Sequence, residues 1–288
     1  THETHPKHGG FANEPLNGDE VIMEYEPGRT GAMPTLLVSG VGYIYDARVD
    51  NGTNKLRMLY PGEDESGDPI PQIGINCPEG AEWQAEKTGV CQLIMYDEEG
   101  IGLCSGNLMN NTNLDFKPLI LSAAHCISLS TEQEVGQEYL DKWTFVFHYE
   151  KPTCSNGSIA LNRGKSVVGC QVRTFLPFLG MSDGLLLEAN TEVPENYRVY
   201  YNGWDRWSVL PKTPAVGIHH PMGDAKKISI ADGPITIGQW DTGDGEAGAE
   251  KAHFVFQYTK GATEGGSSGS SLFSAEHLVV GTLTGGRT

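Results

Sequence analysis

Three short stretches of the sequence hold residue types that together can carry out nucleophilic catalysis. They are LSAAHC, SDGLLLE and GGSSGSS, which contain His125, Asp183 and Ser268. A serine hydroxyl becomes a strong nucleophile when a neutral imidazole accepts its proton, and a carboxylate then holds the imidazole and stabilises the imidazolium. Glycines beside the serine let the backbone approach a developing oxyanion, so the amides of Gly266 and Ser268 are candidates for an oxyanion hole.

Each stretch taken alone also has a purely structural explanation. LSAAHC is compatible with a strand that enters a turn with a histidine in the core, and Ser-Asp-Gly is a common turn. The Gly/Ser run has the composition of a flexible linker. All three in this order are far less probable by chance, so the combination favours catalysis by a serine nucleophile.

The composition excludes several classes of function. The chain has 288 residues and a formal net charge of −17, which argues against nucleic acid as a partner because phosphate binding needs a basic surface. No apolar run approaches the roughly 20 residues that cross a bilayer. Six cysteines occur without a C-x-x-C pair, which favours disulfides in an exported protein over a metal site. The first residues are Thr-His-Glu, so we expect a leader to have been removed.

No cofactor or metal site is predicted. Three histidines near the start of the chain (His2, His5 and His8) are spaced by three, but a mobile terminus explains them better than a metal. The acidic loop 241–250 is interpreted as solvated rather than as a calcium site.

Short strands separated by turns dominate the chain from residue 77 onward. The 37 glycines and 16 prolines favour an all-β fold, and helical periodicity is weak except over 131–143. Strands are predicted at 21–26, 35–47, 90–96, 117–124, 143–149, 167–175, 215–220, 227–230, 253–258 and 278–286. This rhythm is typical of a sandwich or a barrel.

Seven or so sequence blocks, in order, resemble the chymotrypsin-like serine proteases and in particular the bacterial lysyl endopeptidase branch of the Achromobacter and Lysobacter type. Besides the three stretches above they are NCPEG, LCSGNLMNNT, NGWDR, GIHHP with KKIS, and TEGGSSGS, and they cover about residues 75–286. Within the serine run the G-x-S-G pattern marks Ser268 as the nucleophile, while Ser267, Ser270 and Ser271 are neighbours. His219 and His220 are interpreted as part of a structural strand.

The resemblance implies an all-β, chymotrypsin-like fold with two six-stranded β-barrels and the active site in the cleft between them. We expect a pro-segment or N-terminal extension over 1–60, a first barrel with His125 and Asp183 over 61–188, and a second barrel with Ser268 over 189–288. The sequence ends at GTLTGGRT, where the family continues with another strand and a helix, so the second barrel is expected to be incomplete.

The resemblance also implies substrate-binding residues. Thr284, Gly285 and Gly286 match the strand that lines a substrate backbone, and Ala262 stands at the specificity-pocket position six residues before the nucleophile. Ala262 supplies no charge for a basic side chain. Trp204 matches a tryptophan expected beside the catalytic histidine, with a core aromatic as the alternative.

Disulfides are implied by the same comparison. Cys77 pairs with Cys154, and Cys104 pairs with Cys126, next to His125. The remaining Cys91 and Cys170 are expected to pair with each other, because no cysteine precedes Cys77 to complete the family's third bridge.

The expected function is that of a secreted serine endopeptidase that cleaves protein or peptide substrates after lysine or another basic residue. The chain is interpreted as carrying a retained pro-segment that is a partner of the protease, with the junction between Lys55 and Asn76 and with Lys55 and Arg57 as candidate cleavage points. A zymogen held inactive by this segment is one further alternative, and a permanent N-terminal domain is another. A protease-like binding or adhesion module without turnover is the alternative. Thr284 and Gly184, which stands where the family has a bulky apolar residue, leave room for it.

Overall fold

A computed structural model describes most of the chain from residue 72 onward. The described residues are 72–96, 100–127, 135–154, 164–206, 209–242 and 246–286, with a few positions between 12 and 41. At the few described positions of the segments 21–26 and 35–47 there is no strand, contrary to prediction, and the rest of both segments lies outside the described residues. Most of the predicted pro-segment, with Lys55 and Arg57, also lies outside them.

The described chain is built almost entirely of strands. The strands are β1 (Ile73–Gly74), β2 (Val90–Tyr96), β3 (Ile101–Met109), β4 (Leu119–Ala123), β5 (Thr144–Phe147), β6 (Lys165–Val168), β7 (Cys170–Phe175), β8 (Gly184–Ala189), β9 (Ala215–His219), β10 (Lys227–Ala231), β11 (Thr236–Gly238), β12 (His253–Val255), β13 (Ser271–Phe273) and β14 (Val279–Thr282). The α-helix α1 (Gln137–Leu140) lies inside the segment predicted as helical. Short 3-10 turns occupy Pro78–Gly80, Glu86–Thr88, Ala124–Cys126, Glu195–Tyr197 and Pro221–Gly223.

The first sheet curls into a barrel. Its seven antiparallel strands follow the order β6-β5-β2-β3-β4-β8-β7, so β6 and β7 lie at opposite ends. A single residue, Gly169, joins these two strands, and its φ of 83° lies in the left-handed region that glycine favours. One residue spans only a few ångströms, so the two ends of the sheet must meet. β6 and β7 are thus two halves of one bent strand. Counted in this way, the barrel has the six strands expected from the resemblance.

The second sheet has five strands in the order β1-β10-β9-β13-β14. β1 precedes the first barrel in sequence but pairs with β10, with Ile73 opposite Ile228. In the described part of the chain β1 and β14 form the two edges of this sheet, which is an open half-barrel. β11 and β12 form a separate two-stranded ribbon. The predicted all-β, chymotrypsin-like architecture is confirmed.

Both faces of β2 are covered by other parts of the molecule. Successive strand residues point to opposite faces. Leu93 and Met95 therefore pack into the barrel core with Phe145, whereas Ile94 packs outward against Val146 and Ala225. Each such fully buried aliphatic side chain contributes about 1.5–3 kcal/mol relative to an exposed one. β2 covers the segment predicted from its apolar run.

A buried charged cluster links the segment before β2, the end of β5 and the start of β10. The fully buried Lys226 ammonium donates to the Lys87 carbonyl at 2.6 Å and lies 3.5 Å from Glu150. The Lys87 ammonium lies 2.6 Å from the same carboxylate. Burial lowers the pKa of Lys226 to about 8, opposed by the negative charge of Glu150.

Two of the three expected disulfides are present: Cys77–Cys154 and Cys104–Cys126. The predicted Cys91–Cys170 bridge is wrong, because both thiols are free and buried in the barrel core. The two thiols lie on different strands, β2 and β7, and the Cys170 sulfur lies 3.8 Å from the Leu140 carbonyl oxygen. Burial raises the pKa of Cys91 to about 12, so this thiol acts as a small apolar side chain.

Candidate active site

His125 and Asp183 meet because β4 and β8 are neighbouring strands. Ala123, the last residue of β4, pairs with Gly184, the first residue of β8. The residues beside this pair, His125 in the turn Ala124–Cys126 and Asp183 in the loop before β8, therefore lie at the same end of the barrel. The Ala124 amide donates to the Asp183 carbonyl at 2.9 Å and closes the contact.

The Asp183 carboxylate holds His125 through both oxygens. One oxygen accepts the backbone N–H of His125 at 2.8 Å, and the other lies 2.7 Å from the ring nitrogen Nδ1. The carboxylate is fully buried, whereas the His125 side chain is 35% exposed. Because an ionised carboxylate only accepts hydrogen bonds, a neutral His125 ring in this position carries its proton on Nδ1 and leaves Nε2 as an acceptor.

The Cys104–Cys126 disulfide fixes the turn that carries His125, since Cys126 is the next residue. Gly184 meets no heavy atom within 4 Å of where a side chain would begin. The absence of a bulky residue there leaves the Asp183–His125 contact intact.

Ser105 of β3 ties the serine run to the barrel that carries His125. Its backbone N–H donates to the Ser268 carbonyl at 2.8 Å. Its hydroxyl donates to the Gly266 carbonyl at 2.9 Å and accepts the His220 N–H at 2.9 Å. Ser105 is fully buried, so these bonds are not exchanged with water.

Gly269 allows the serine run to approach the barrel this closely. A Cβ at this position would lie 2.1 Å from the Ser122 hydroxyl and 2.6 Å from the Ser105 carbonyl oxygen. Its φ of 78° is also one that side chains rarely adopt. A residue larger than glycine at 269 would push Ser268 away from the His125 turn.

The amides predicted to form an oxyanion hole are both available. Neither the Gly266 N–H nor the Ser268 N–H donates to any acceptor in the described part of the chain. Gly266 adopts a φ of 85°, and its carbonyl is held by Ser105. The Ser268 hydroxyl and the His125 ring are not hydrogen-bonded to each other in this structure.

The predicted substrate strand lies directly after β14. The neighbouring Leu283 donates its N–H to the Ser270 carbonyl at 2.8 Å and accepts the Gly269 N–H at 2.9 Å. Thr284, Gly285 and Gly286 therefore follow on beside the serine run. The Thr284 hydroxyl is buried without a hydrogen-bond partner.

Trp204, which the resemblance implies lies beside the catalytic histidine, is 41% exposed. Its indole N–H donates to the Asn110 carbonyl at 3.0 Å, beyond the end of β3, and no hydrogen bond or ring contact joins it to His125. Trp240 lies against the predicted substrate strand, with ring carbon Cζ2 2.8 Å from where a Cβ at Gly285 would stand.

Ala262, the predicted pocket residue, is partly buried, and its carbonyl accepts the Ser229 hydroxyl at 3.3 Å. Sequence reasoning missed this bond, and it also missed Ser105. Nothing in the block LCSGNLMNNT distinguishes Ser105 from a surface serine, because its role depends on two strands that are distant in sequence.

The chain matches the model of the lysyl endopeptidase C-terminal domain family over residues 65–288. It is 30% identical over 193 residues to a lysyl endopeptidase of Pseudomonas aeruginosa, an alignment that covers 65% of this chain and 38% of that protein. The chain therefore spans well under half the length of this relative.

Several solved structures are similar to this chain. One is the scabies mite inactivated protease paralogue S-I1, 14% identical with a TM-score of 0.48, covering 71% of this chain and 85% of that one. Another is the active form of the Rv3671c protease from M. tuberculosis, 14% identical with a TM-score of 0.45, covering 78% and 83%. Because the family model matches most of the sequence, including all three stretches considered at the outset, the chain belongs to the lysyl endopeptidase C-terminal domain family.

Proposed function

We propose that this chain is a serine endopeptidase that hydrolyses peptide bonds through an acyl-enzyme on Ser268. The observation that carries the proposal is the double contact between Asp183 and His125. With both carboxylate oxygens engaged, the imidazole keeps one orientation and presents Nε2 as a proton acceptor. A core histidine with a structural role would not need a buried carboxylate aligned with its ring and backbone at once.

In the proposed reaction the Ser268 hydroxyl oxygen attacks the substrate carbonyl carbon while His125 Nε2 takes its proton. The oxyanion accepts hydrogen bonds from the Gly266 and Ser268 amides. The His125 imidazolium then protonates the leaving amine, and a water molecule repeats the sequence to release the acid. Asp183 stays ionised throughout and stabilises the imidazolium. The contact between His125 and Ser268 forms when substrate closes the site, since such contacts are often long in free enzymes.

The substrates are protein or peptide chains that lie in extended form beside Thr284–Gly286. Cleavage after lysine or another basic residue is proposed from family membership, because Ala262 contributes no charge to the pocket. A panel of peptides that differ only in the residue before the cleaved bond would test this preference.

Export and activation by cleavage are part of the proposal. Two disulfides support an oxidising compartment, and no described helix is long and apolar enough to cross a membrane. Gln72, inside the predicted junction, donates to the Glu264 carboxylate at 2.6 Å, four residues before Ser268. Cleavage that moved this segment would alter a contact of the serine run. N-terminal sequencing before and after activation tests whether activity appears only with cleavage between residues 55 and 76.

Peptide hydrolysis by three proteins tests the central claim: the parent, Ser268→Ala and Ser271→Ala. Ser271 lies in the same run, and its buried hydroxyl has no hydrogen-bond partner, so its removal is a matched control. We expect Ser268→Ala to lose hydrolysis and Ser271→Ala to keep it. Equal hydrolysis by the parent and Ser268→Ala would remove Ser268 from the mechanism.

A second candidate is a protease-like binding module without turnover. It is favoured by one observation, the lack of a hydrogen bond between the His125 ring and the Ser268 hydroxyl. Under this alternative the processed parent would bind peptides but would not hydrolyse them, and Ser268→Ala would leave binding unchanged.

A further inference from the structure

A second histidine, His219, lies within a chain of hydrogen bonds that holds the segment before the nucleophile. It is the last residue of β9 and is fully buried. Its Nδ1 lies 2.8 Å from the Ser267 hydroxyl, and its Nε2 lies 2.9 Å from the Ser229 hydroxyl. Sequence reasoning treated this histidine as part of a structural strand.

The number of protons available fixes which group donates in each of these hydrogen bonds. The Ser229 hydroxyl donates its one proton to the Ala262 carbonyl, so it must accept from Nε2–H. A neutral ring then has a bare Nδ1, which accepts the Ser267 hydroxyl proton. The Ser267 oxygen in turn accepts the Glu264 amide N–H at 3.2 Å. The reverse direction would leave the Ser267 proton and the Ala262 carbonyl without partners, which is costly in a buried site.

This series of hydrogen bonds holds both ends of one short segment of the protein, residues 262–267. Ser229 holds Ala262 at its start, and Ser267 holds the turn 264–267, which is also closed by a bond of 3.0 Å from the Ser267 amide to the Glu264 carbonyl. This segment contains Gly266, the proposed oxyanion donor, and leads directly to Ser268. Movement of the His219 ring would therefore move both the oxyanion hole and the pocket wall.

We propose that His219 is a positioning residue: a permanently neutral imidazole in the Nε2–H tautomer that fixes the segment 262–267 and so aims the Gly266 amide and Ser268. This inference rests on the proposed function and adds a residue that acts only through the segment it holds. Its ring is hydrogen-bonded to Ser267 and Ser229 rather than to the Asp183–His125 pair, and it does not exchange a proton during the reaction.

Two measurements test the proposal, and the first needs no activity. In ¹⁵N NMR of the full chain, the His219 ring is expected to show a protonated, slowly exchanging Nε2 and an unprotonated Nδ1. The same state is expected at pH 5 and at pH 8. An Nδ1–H tautomer, or an imidazolium at pH 5, would contradict the proposed donor and acceptor roles of the two His219 ring nitrogens.

The second measurement separates positioning from folding. Ser267→Ala removes the link at one end of the ring, and Ser229→Ala removes the link at the other, with Ser271→Ala as control. We expect kcat to fall by roughly 10- to 100-fold in each test variant while KM and the folded fraction stay near the parent's, because small misplacements of reacting groups are costly. His219→Gln should lose at least as much, and the serine variants keep the test open if it fails to fold.

The outcomes also separate this inference from the proposed function. Unchanged kcat in folded Ser267→Ala and Ser229→Ala, beside an active parent, would reject positioning and keep the protease. An inactive processed parent would reject the protease together with any catalytic consequence of His219. NMR of the His219 ring would then still decide whether its hydrogen bonds to Ser267 and Ser229 have the proposed direction.

Discussion

His125 and His219 are two histidines whose surroundings differ in kind. His125 is 35% exposed and faces a buried carboxylate, which stabilises a positive charge on its ring. His219 is fully buried between two hydroxyls, which can satisfy a neutral ring but cannot neutralise a charged one. The first environment suits a group that takes up a proton, and the second suits a fixed spacer. The difference indicates that the partners of each histidine determine which role it can take in the proposed mechanism.

The largest predicted effect, a loss of kcat, comes from removing the carboxylate charge that faces His125. Asp183→Asn keeps the shape of the side chain but removes the charge that selects the Nδ1–H tautomer, so kcat is expected to fall by about 10⁴-fold. Steady-state hydrolysis by the folded variant measures this. A loss below tenfold would mean that the carboxylate does not act through His125.

The pH dependence of stability sharpens the contrast from the His219 side. Burial, with a smaller contribution from the positive charge of Lys227, lowers the pKa of His219 from 6.5 to about 3. Between pH 6.5 and 3 the unfolded chain therefore binds a proton at this site that the folded chain does not. Stability attributable to His219 is fully present above pH 6.5 and declines as the pH falls towards 3, by up to about 1.4 kcal/mol per pH unit.

Chemical denaturation of the parent and of His219→Gln between pH 7 and 4 tests this slope. The titratable groups around the ring are Lys227 opposite it on β10, the adjacent His220 and Glu264 in the serine segment. They are present in both proteins, so the difference in slope isolates His219. Parallel slopes would show that His219 titrates normally.

Ser105 provides the link to the barrel that carries His125, and its removal is expected to have a moderate effect. Ser105→Ala keeps the amide bond to Ser268 but leaves the Gly266 carbonyl and the His220 amide without their hydroxyl partner. Stability should fall by about 1–3 kcal/mol, and the acylation rate of Ser268 should fall as well. Chemical denaturation measures the stability, and labelling kinetics measure the acylation rate of Ser268. An unchanged rate would mean that the Ser105 hydroxyl does not help to position Ser268 and that the hydrogen bonds through His219 are sufficient.

The smallest effect is a difference in chemical reactivity. Diethylpyrocarbonate, which acylates accessible imidazoles, should modify His125 in the native protein and leave His219 unmodified. Peptide mass spectrometry identifies the modified rings, and a parallel sample in denaturant should show both modified. Modification of native His219 would contradict its complete burial.

The sequence was sufficient for the parts of this account that depend on local pattern. The apolar run Val90–Tyr96 predicted β2 with its correct bounds, and two of the three stretches predicted the residues, His125 and Asp183, that the β4–β8 pairing brings together. What it could not supply was register between distant segments. The contacts described above for Ser105, Trp240 and His219 are with residues ten or more, and mostly more than forty, positions away, which no local pattern reveals. The Cys91–Cys170 prediction failed for the same reason, since counting cysteines says nothing about which strands face each other.

The most direct test of the central claim is the site and rate of labelling by a fluorophosphonate, read by peptide mass spectrometry on the processed parent and on Asp183→Asn. The account predicts a single phosphonylated residue, Ser268, and labelling slower by about 10⁴-fold in the variant. Label on another serine of the run, or equal rates in the two proteins, would contradict a nucleophile at Ser268 activated by the Asp183–His125 pair.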